Sequence, residues 1–227
     1  MTNIAEALDE FLVVQRARLS GRTFRRYDEV VWLLRDQMSN YGPNSLADDD
    51  HRRWEVAFRD DPEAYVHIFG PEKIPEQLSE FLGWYIVRKT TGSQELLAAA
   101  GTVTKKLSKW LDAEGHISGA AAAVMADQGA DAALELPQAN KLAELLHDSV
   151  RALPGFDPDE IGDEHWVEDM FMIERVGPGR LWFVGHGEPV RVSPAASALA
   201  REGWFVTGAI AKHDGEWRLA EIGNVYT

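Results

Sequence analysis

Hydrophobic residues recur at helical spacing through the first half of the chain and alternate in its last quarter. Ile4, Leu8, Phe11, Leu12 and Leu19 lie on one helical face, with Thr2 or Asn3 available as N-cap. That helix is expected to stop near Ser20-Gly21. A second starts at Thr23, where Phe24, Tyr27, Val31, Leu34 and Met38 fall in a stripe about 80° wide at roughly 100° per residue. Asn40, Gly42 and Pro43 end it.

Residues 44–70 predict one or two short helices, since Asp48-Asp49-Asp50 makes an acidic helix start while Trp54 and Phe58 give a short apolar edge. Pro75 suits the first turn of the next helix, whose apolar face is Leu78, Phe81, Leu82, Tyr85 and Ile86. Thr90-Thr91-Gly92-Ser93 breaks it. Ser93 then caps a long helix through Leu96, Ala100, Val103, Leu107, Trp110 and Leu111, ending before Gly115. From Ser118 to Leu153 the chain is alanine-rich, and Pro137 predicts two helices, Ala120–Leu134 and Gln138–Leu153, a spacer or a dimer-forming pair. Pro154-Gly155-Phe156-Asp157-Pro158-Asp159 is the expected domain boundary.

Beyond it, Met170–Ile173, Leu181–Val184, Val190–Val192, Trp204–Val206 and Trp217–Leu219 read as short strands. Gly177-Pro178-Gly179 joins the first two, and Asp214-Gly215, a favoured type I′ pair, joins the last two. Pro194–Glu202 predicts a helical turn or two. So few strands suit a small SH3-like or OB-like β-barrel of about 60 residues rather than a sandwich. The expected architecture is α+β and multidomain: an all-α helical domain over residues 1–117, a helical spacer and linker over 118–162, and a β-barrel over 163–227.

Composition narrows the function. The chain has 227 residues, 45% hydrophobic and 26% charged, with no apolar run long enough to span a bilayer. The start, Met1-Thr2-Asn3-Ile4-Ala5-Glu6, has neither the basic nor the apolar region of a secretory signal, and there is no cysteine; both favour the cytoplasm. The net charge of −14 opposes a surface that attracts nucleic acid everywhere. Its distribution matters more. Residues 1–115 carry 15 basic and 19 acidic side chains, residues 116–162 carry 2 and 8, and residues 163–227 carry 6 and 10. A basic face is possible only in the first segment.

Leu19-Ser20, Thr23 and Tyr27, followed by Leu33-Leu34, resemble the opening of the SAM-like core-binding domain of tyrosine recombinases and phage integrases. Leu78, Phe81 and Leu82, the Gly92-Ser93 break, and the helix through Lys105-Lys106-Leu107 to Trp110-Leu111 and Gly115 resemble that domain's closing helices. The resemblance covers about residues 4–117 and rests on caps and apolar spacing. It implies a module that clasps duplex DNA from one side. The family's catalytic domain has no counterpart here, since its chemistry needs a tyrosine nucleophile within an Arg, His and Lys cluster. No His-x-x-Arg occurs, and Tyr226 lacks basic neighbours in sequence, so barrel packing is its expected role.

For DNA contact the candidates are Arg22, Arg25 and Arg26 on the second helix and Thr102, Lys105 and Lys109 on the long one, the last three within about 60° of each other. Solvation of an amphipathic helix explains the same pattern. Glu29 and Glu95 both oppose phosphate.

Other constellations are weaker. His165 with Glu164, Glu168 and Asp169 lacks metal-ligand spacing, and Asp48-Asp49-Asp50-His51 reads as a helix start. Gly177-x-Gly179 and Gly185-x-Gly187 read as turns rather than phosphate loops. Trp166, Trp182, Trp204 and Trp217 exceed what a tiny core needs. On an OB-like barrel exposed aromatics can stack bases, but the acidic balance favours packing against helices or another protein. The sequence therefore predicts a non-catalytic DNA-binding module without metal or cofactor. The alternative is a protein-interaction scaffold that self-associates or holds a protein partner through the barrel and spacer.

Overall fold

The computed structural model describes residues 2–90, 93–151 and 165–227. The protein is α+β, helical in its N-terminal part and ending in a five-stranded barrel, and it separates into two compact units, Met1–Leu134 and Glu135–Thr227. Among the described residues no helix is long and apolar enough to cross a membrane.

In the first unit, α1 (Ile4–Arg16) opens with a capping box. Glu6 N donates to Asn3 Oδ1 at 2.8 Å while Asn3 N donates to the Glu6 carboxylate at 2.9 Å. Ile4, Leu8 and Phe11 are buried, but Leu12 and Leu19 only partly, because α1 ends at Arg16. Ser20 begins the next element rather than ending this one. Its hydroxyl accepts from Thr23 N, so α2 (Gly21–Tyr41) starts two residues before Thr23 and buries Tyr27, Val30, Val31, Leu34 and Met38.

Three aspartates fill the first turn of α3 (Asp48–Phe58), where the helix dipole favours negative charge. Helix α4 (Ala64–Ile68) sinks Tyr65 into the core. Pro75 sits in the first turn of α5 (Ile74–Glu80), which continues through a π-helical turn, Phe81–Tyr85, into α6 (Ile86–Lys89). The Ser93 hydroxyl caps α7 (Gln94–Ala113), which buries Leu96, Ala100, Val103, Leu107 and Leu111. Thr91 and Gly92 of the expected break lie outside the described residues. Periodicity does not disclose the buried amides between these helices: Gln77 Nε2 donates to Ser45 Oγ at 2.8 Å and its Oε1 accepts from Gln37 at 3.4 Å.

Residues 119–151 correct the sequence reading. Instead of two helices divided at Pro137, they form one, α8 (Gly119–Arg151), with Pro137 inside it. The physical reason is the spacing of what it buries: Ala122, Met125, Gly129, Ala132, Leu136, Ala139, Leu142 and Leu146 follow one another at intervals of three or four through the proline. Packing along that stripe holds turns that proline alone would break. The division between units falls within α8, after Leu134. In the first unit α8 crosses α7 at two glycines. A Cβ on Gly129 would sit 2.8 Å from Gly101 O and 2.9 Å from Lys105 N, and one on Gly101 would strike the backbone of Gly129 and Ala133. The expected boundary at Pro154–Asp159 lies outside the described residues.

In the second unit, β1 (Trp166–Gly177), β2 (Arg180–Phe183), β3 (Val190–Arg191), β4 (Phe205–His213) and β5 (Glu216–Tyr226) close in the order β1-β2-β3-β5-β4. All pairs are antiparallel except β3 with β5. A short helix, α9 (Pro194–Leu199), lies between β3 and β4. This five-stranded Greek-key order matches the OB-like of the two expected barrels. Both predicted hairpin turns are present, with Asp214 and Gly215 at φ 53° and 78°, as a type I′ turn requires. Strands β1, β4 and β5 extend well beyond their apolar centres. Phe171, Ile173, Leu181, Phe183, Val206, Ile210 and Leu219 fill the interior with Trp204 and Trp217, and Ala139, Leu142 and Leu146 of α8 join them.

Replacing Gly129 with valine is expected to lower unfolding free energy by about 1–3 kcal/mol, because backbone must move to admit the side chain. Urea titration checks this, with Ala123→Val on the exposed side of α8 staying within about 0.5 kcal/mol of the parent.

Candidate functional site

Helix α7 is covered on two sides. Its leucine and valine stripe packs into the core, while Gly101, Thr104 and Ser108, all buried, lie along the side where α8 crosses. What remains is a strip carrying Thr102, Lys105, Lys106 and Lys109, all exposed and within about 100° of arc at roughly 100° per residue. Among the described residues none of these three lysines forms an ion pair.

Beside this strip runs a groove of about 420 Å³ between α7 and the end of α1. Lys106 and Lys109 line one side, Gln15, Arg18 and Leu19 the other, and Tyr27 and Trp110 also border it. Both of those rings pack on the buried Phe11, at 6.3 and 5.8 Å between centroids. Burial raises the Tyr27 phenol above its ordinary value, so at neutral pH it remains a protonated donor. No carboxylate lines the groove, and Arg18 has no ion-pair partner among the described residues. The groove thus sets the cationic side chains of Arg18, Lys106 and Lys109 beside the rings of Tyr27 and Trp110.

The sequence-derived candidates divide between two environments. Lys105, Lys109 and Thr102 share the exposed strip, and the Thr102 hydroxyl donates back to Ala98 O at 3.2 Å. The α2 arginines are elsewhere. Arg26 is salt-bridged to Glu95 at the start of α7, and Arg22 Nη2 lies 3.5 Å from the same carboxylate, so one acidic side chain counters both. Arg25 borders a different groove, with Asp9, Asp28 and Glu29. Arg18 and Lys106 were missed. The signal for Lys106 was present, because it lies four residues after Thr102 and three before Lys109; Arg18 follows the last turn of α1 and had none.

In the second unit the polar residues gather around Trp217. Its indole N–H donates to Glu188 at 3.1 Å, Lys212 lies over its ring, and His186 meets it edge-on at 4.6 Å. Trp204 and Trp217 belong to the core, Trp166 packs against Ala209, Ala211 and Ala220, and Arg175 covers Trp182. Tyr226 is buried, its hydroxyl accepting from Asn224 at 3.3 Å. Gly179, Gly185 and Gly187 take positive φ, as turns do. Among the described residues no three His, Asp or Glu side chains converge as metal ligands; Glu164 lies outside them.

Burial lowers the His186 imidazole below its ordinary value; Lys212 adds to this and Glu188 opposes it. Below the ordinary histidine pKa the unfolded chain therefore binds a proton that the folded barrel refuses, and stability falls until pH reaches the folded value. Between about pH 7.5 and 5.5 the melting temperature is expected to drop more in the parent than in His186→Gln, measured by circular dichroism.

Comparison of the chain with protein-family models, with curated proteins and with solved structures gives no match.

Proposed function

We propose that the helical unit binds the phosphate backbone of double-stranded DNA, without catalysis, through the α7 lysine strip and its groove. One observation carries this reading: Arg18, Lys106 and Lys109 at a groove that no carboxylate lines, and Lys105 on the strip beside it, stand without ion-pair partners among the described residues. In a chain of net charge −14, uncompensated cations clustered in one place favour a polyanion. The resemblance of residues 4–117 to a recombinase core-binding domain supports the same reading. The footprint in this reading moves off the α2 arginines, since Arg22 and Arg26 reach phosphate only by leaving Glu95 and Arg25 lies among acidic side chains.

A second reading, a protein-interaction scaffold, has its own support. The groove bordered by Leu12, Val31 and Trp32 also carries Asp9, Asp28 and Glu29, and Trp32 is 61% exposed. Arg25 and Arg35 line the same groove and Arg35 pairs with Asp9, so an apolar protein segment suits that surface. Light scattering separates this reading if the parent self-associates and Trp32→Ser does not.

For DNA, fluorescence anisotropy over a salt series is the test. Lys106→Glu combined with Lys109→Glu is expected to weaken duplex binding at low salt by at least about tenfold, and each single lysine-to-alanine change to reduce the salt slope by about 1. Glu95→Gln is expected to raise affinity severalfold by releasing Arg22 and Arg26. No duplex binding at low salt, or binding indifferent to the double variant, removes the proposal.

A further inference from the structure

Three arginines from three adjacent strands form one cross-strand row on the barrel. Arg180 of β2 pairs in register with Arg191 of β3, and Arg191 with Arg218 of β5. Like charges placed directly opposite, with Cβ atoms about 4.5–5.5 Å apart, destabilise a sheet. Arg180 and Arg191 are exposed and add no core, which Leu181, Val190, Trp217 and Leu219 next to the row supply. Among the described residues a single carboxylate serves the row. Glu216 lies 2.9 Å from Arg191 Nη1 and 3.5 Å from Arg218 Nη2, while Arg180 has no ion pair among the described residues.

Two of these arginines border a pocket of about 280 Å³ with Ser149, Val192, Ser193, Pro194 and Leu219. Its polar groups are held in place and are rich in donors. Ser149 Oγ donates to Leu145 O at 2.9 Å and accepts from Ser193 N at 3.3 Å. Ser193 Oγ accepts from Ala196 N at 3.1 Å, which leaves its own hydrogen to give. The Arg218 side chain is only 20% exposed, and its Nε is buried without a hydrogen-bond partner. No carboxylate lines the pocket.

We propose that this pocket is an anion site that takes a phosphate group, gripped by Arg191 and Arg218 with a hydrogen bond from Ser193, while Arg180 adds to the local potential. Two guanidinium forks offer N–H donors suited to the several oxygens of a phosphate, which competes there with the Glu216 carboxylate that already bridges Arg191 and Arg218. The volume lies near the lower end of small-molecule sites, enough for a phosphorylated metabolite or one nucleotide of a strand. Both sources share the phosphate. The site is independent of the α7 groove, which belongs to the other unit.

Calorimetry on the full chain at low salt tests it, with adenosine, adenosine 5′-monophosphate and a short single-stranded oligothymidylate as probes. The monophosphate or the oligonucleotide is expected to bind where adenosine does not, and whichever binds identifies the source as free nucleotide or strand. Arg191→Gln and Arg218→Gln are each expected to weaken binding at least about tenfold, Arg191→Lys to restore it only in part, and Lys106→Glu with Lys109→Glu to leave monophosphate binding unchanged. Arg191 is 59% exposed, so its glutamine variant stays folded and decides the matter even if the Arg218 variant does not. Absence of phosphate-dependent binding, or binding that survives Arg191→Gln in a folded protein, overturns the proposal, and neither outcome bears on duplex binding by the helical unit.

Discussion

The close approach of two backbones at Gly101 and Gly129 determines how the helical unit is arranged around α7. With side chains absent there, α8 covers one flank of α7 while the leucine stripe faces the core on another. A helix enclosed on two sides has one strip left for polar residues. Thr102, Lys105, Lys106 and Lys109 occupy that strip. The position of the lysines thus follows from packing as much as from their charge, and the aromatic floor of Tyr27 and Trp110 over Phe11 is set by the same core.

Charge is managed locally in a chain that is acidic as a whole. Arg22 and Arg26 share Glu95, Lys73 lies 3.2 Å from Asp50, and Arg35 lies 3.4 Å from Asp9. Such exposed pairs contribute little stability, but they set where positive potential survives. Against that background the lysines of α7 stand out because they lack counter-charges among the described residues, and the barrel arginines because three lie in register while Glu216 pairs with only two of them. The net charge of the whole chain reveals neither place.

Local signals in the sequence were strong wherever neighbours in the chain decide the outcome. Asn3 and Ser93 cap the helices their positions implied, Pro75 opens α5, and Asp214-Gly215 makes the predicted turn. Failures occurred where distant packing overrides local preference. Pro137 reads as a break, yet an apolar stripe from Ala122 to Leu146 carries the helix through it. The candidate site shows the same division: the lysine face of α7 was legible from spacing, whereas the sequestering of Arg22 and Arg26 by Glu95 joins residues about seventy positions apart and leaves no periodic trace. The arginine row was hidden because register between β2, β3 and β5 is a property of the closed sheet.

Strand β3 pairs over only two residues, and with β5 it makes the only parallel contact in the described barrel. The β4–β5 hairpin can form around a tight local turn, but joining residues 190–191 to 217–218 closes a loop through α9 and β4. Loop entropy must be overcome before so short a contact returns any stabilisation, which places this closure late in assembly. Arg191 meets Arg218 through that same pairing. The juxtaposition of Arg191 with Arg218 is therefore a property of the finished barrel alone, and a nascent or partly unfolded chain carries both arginines without bringing them together.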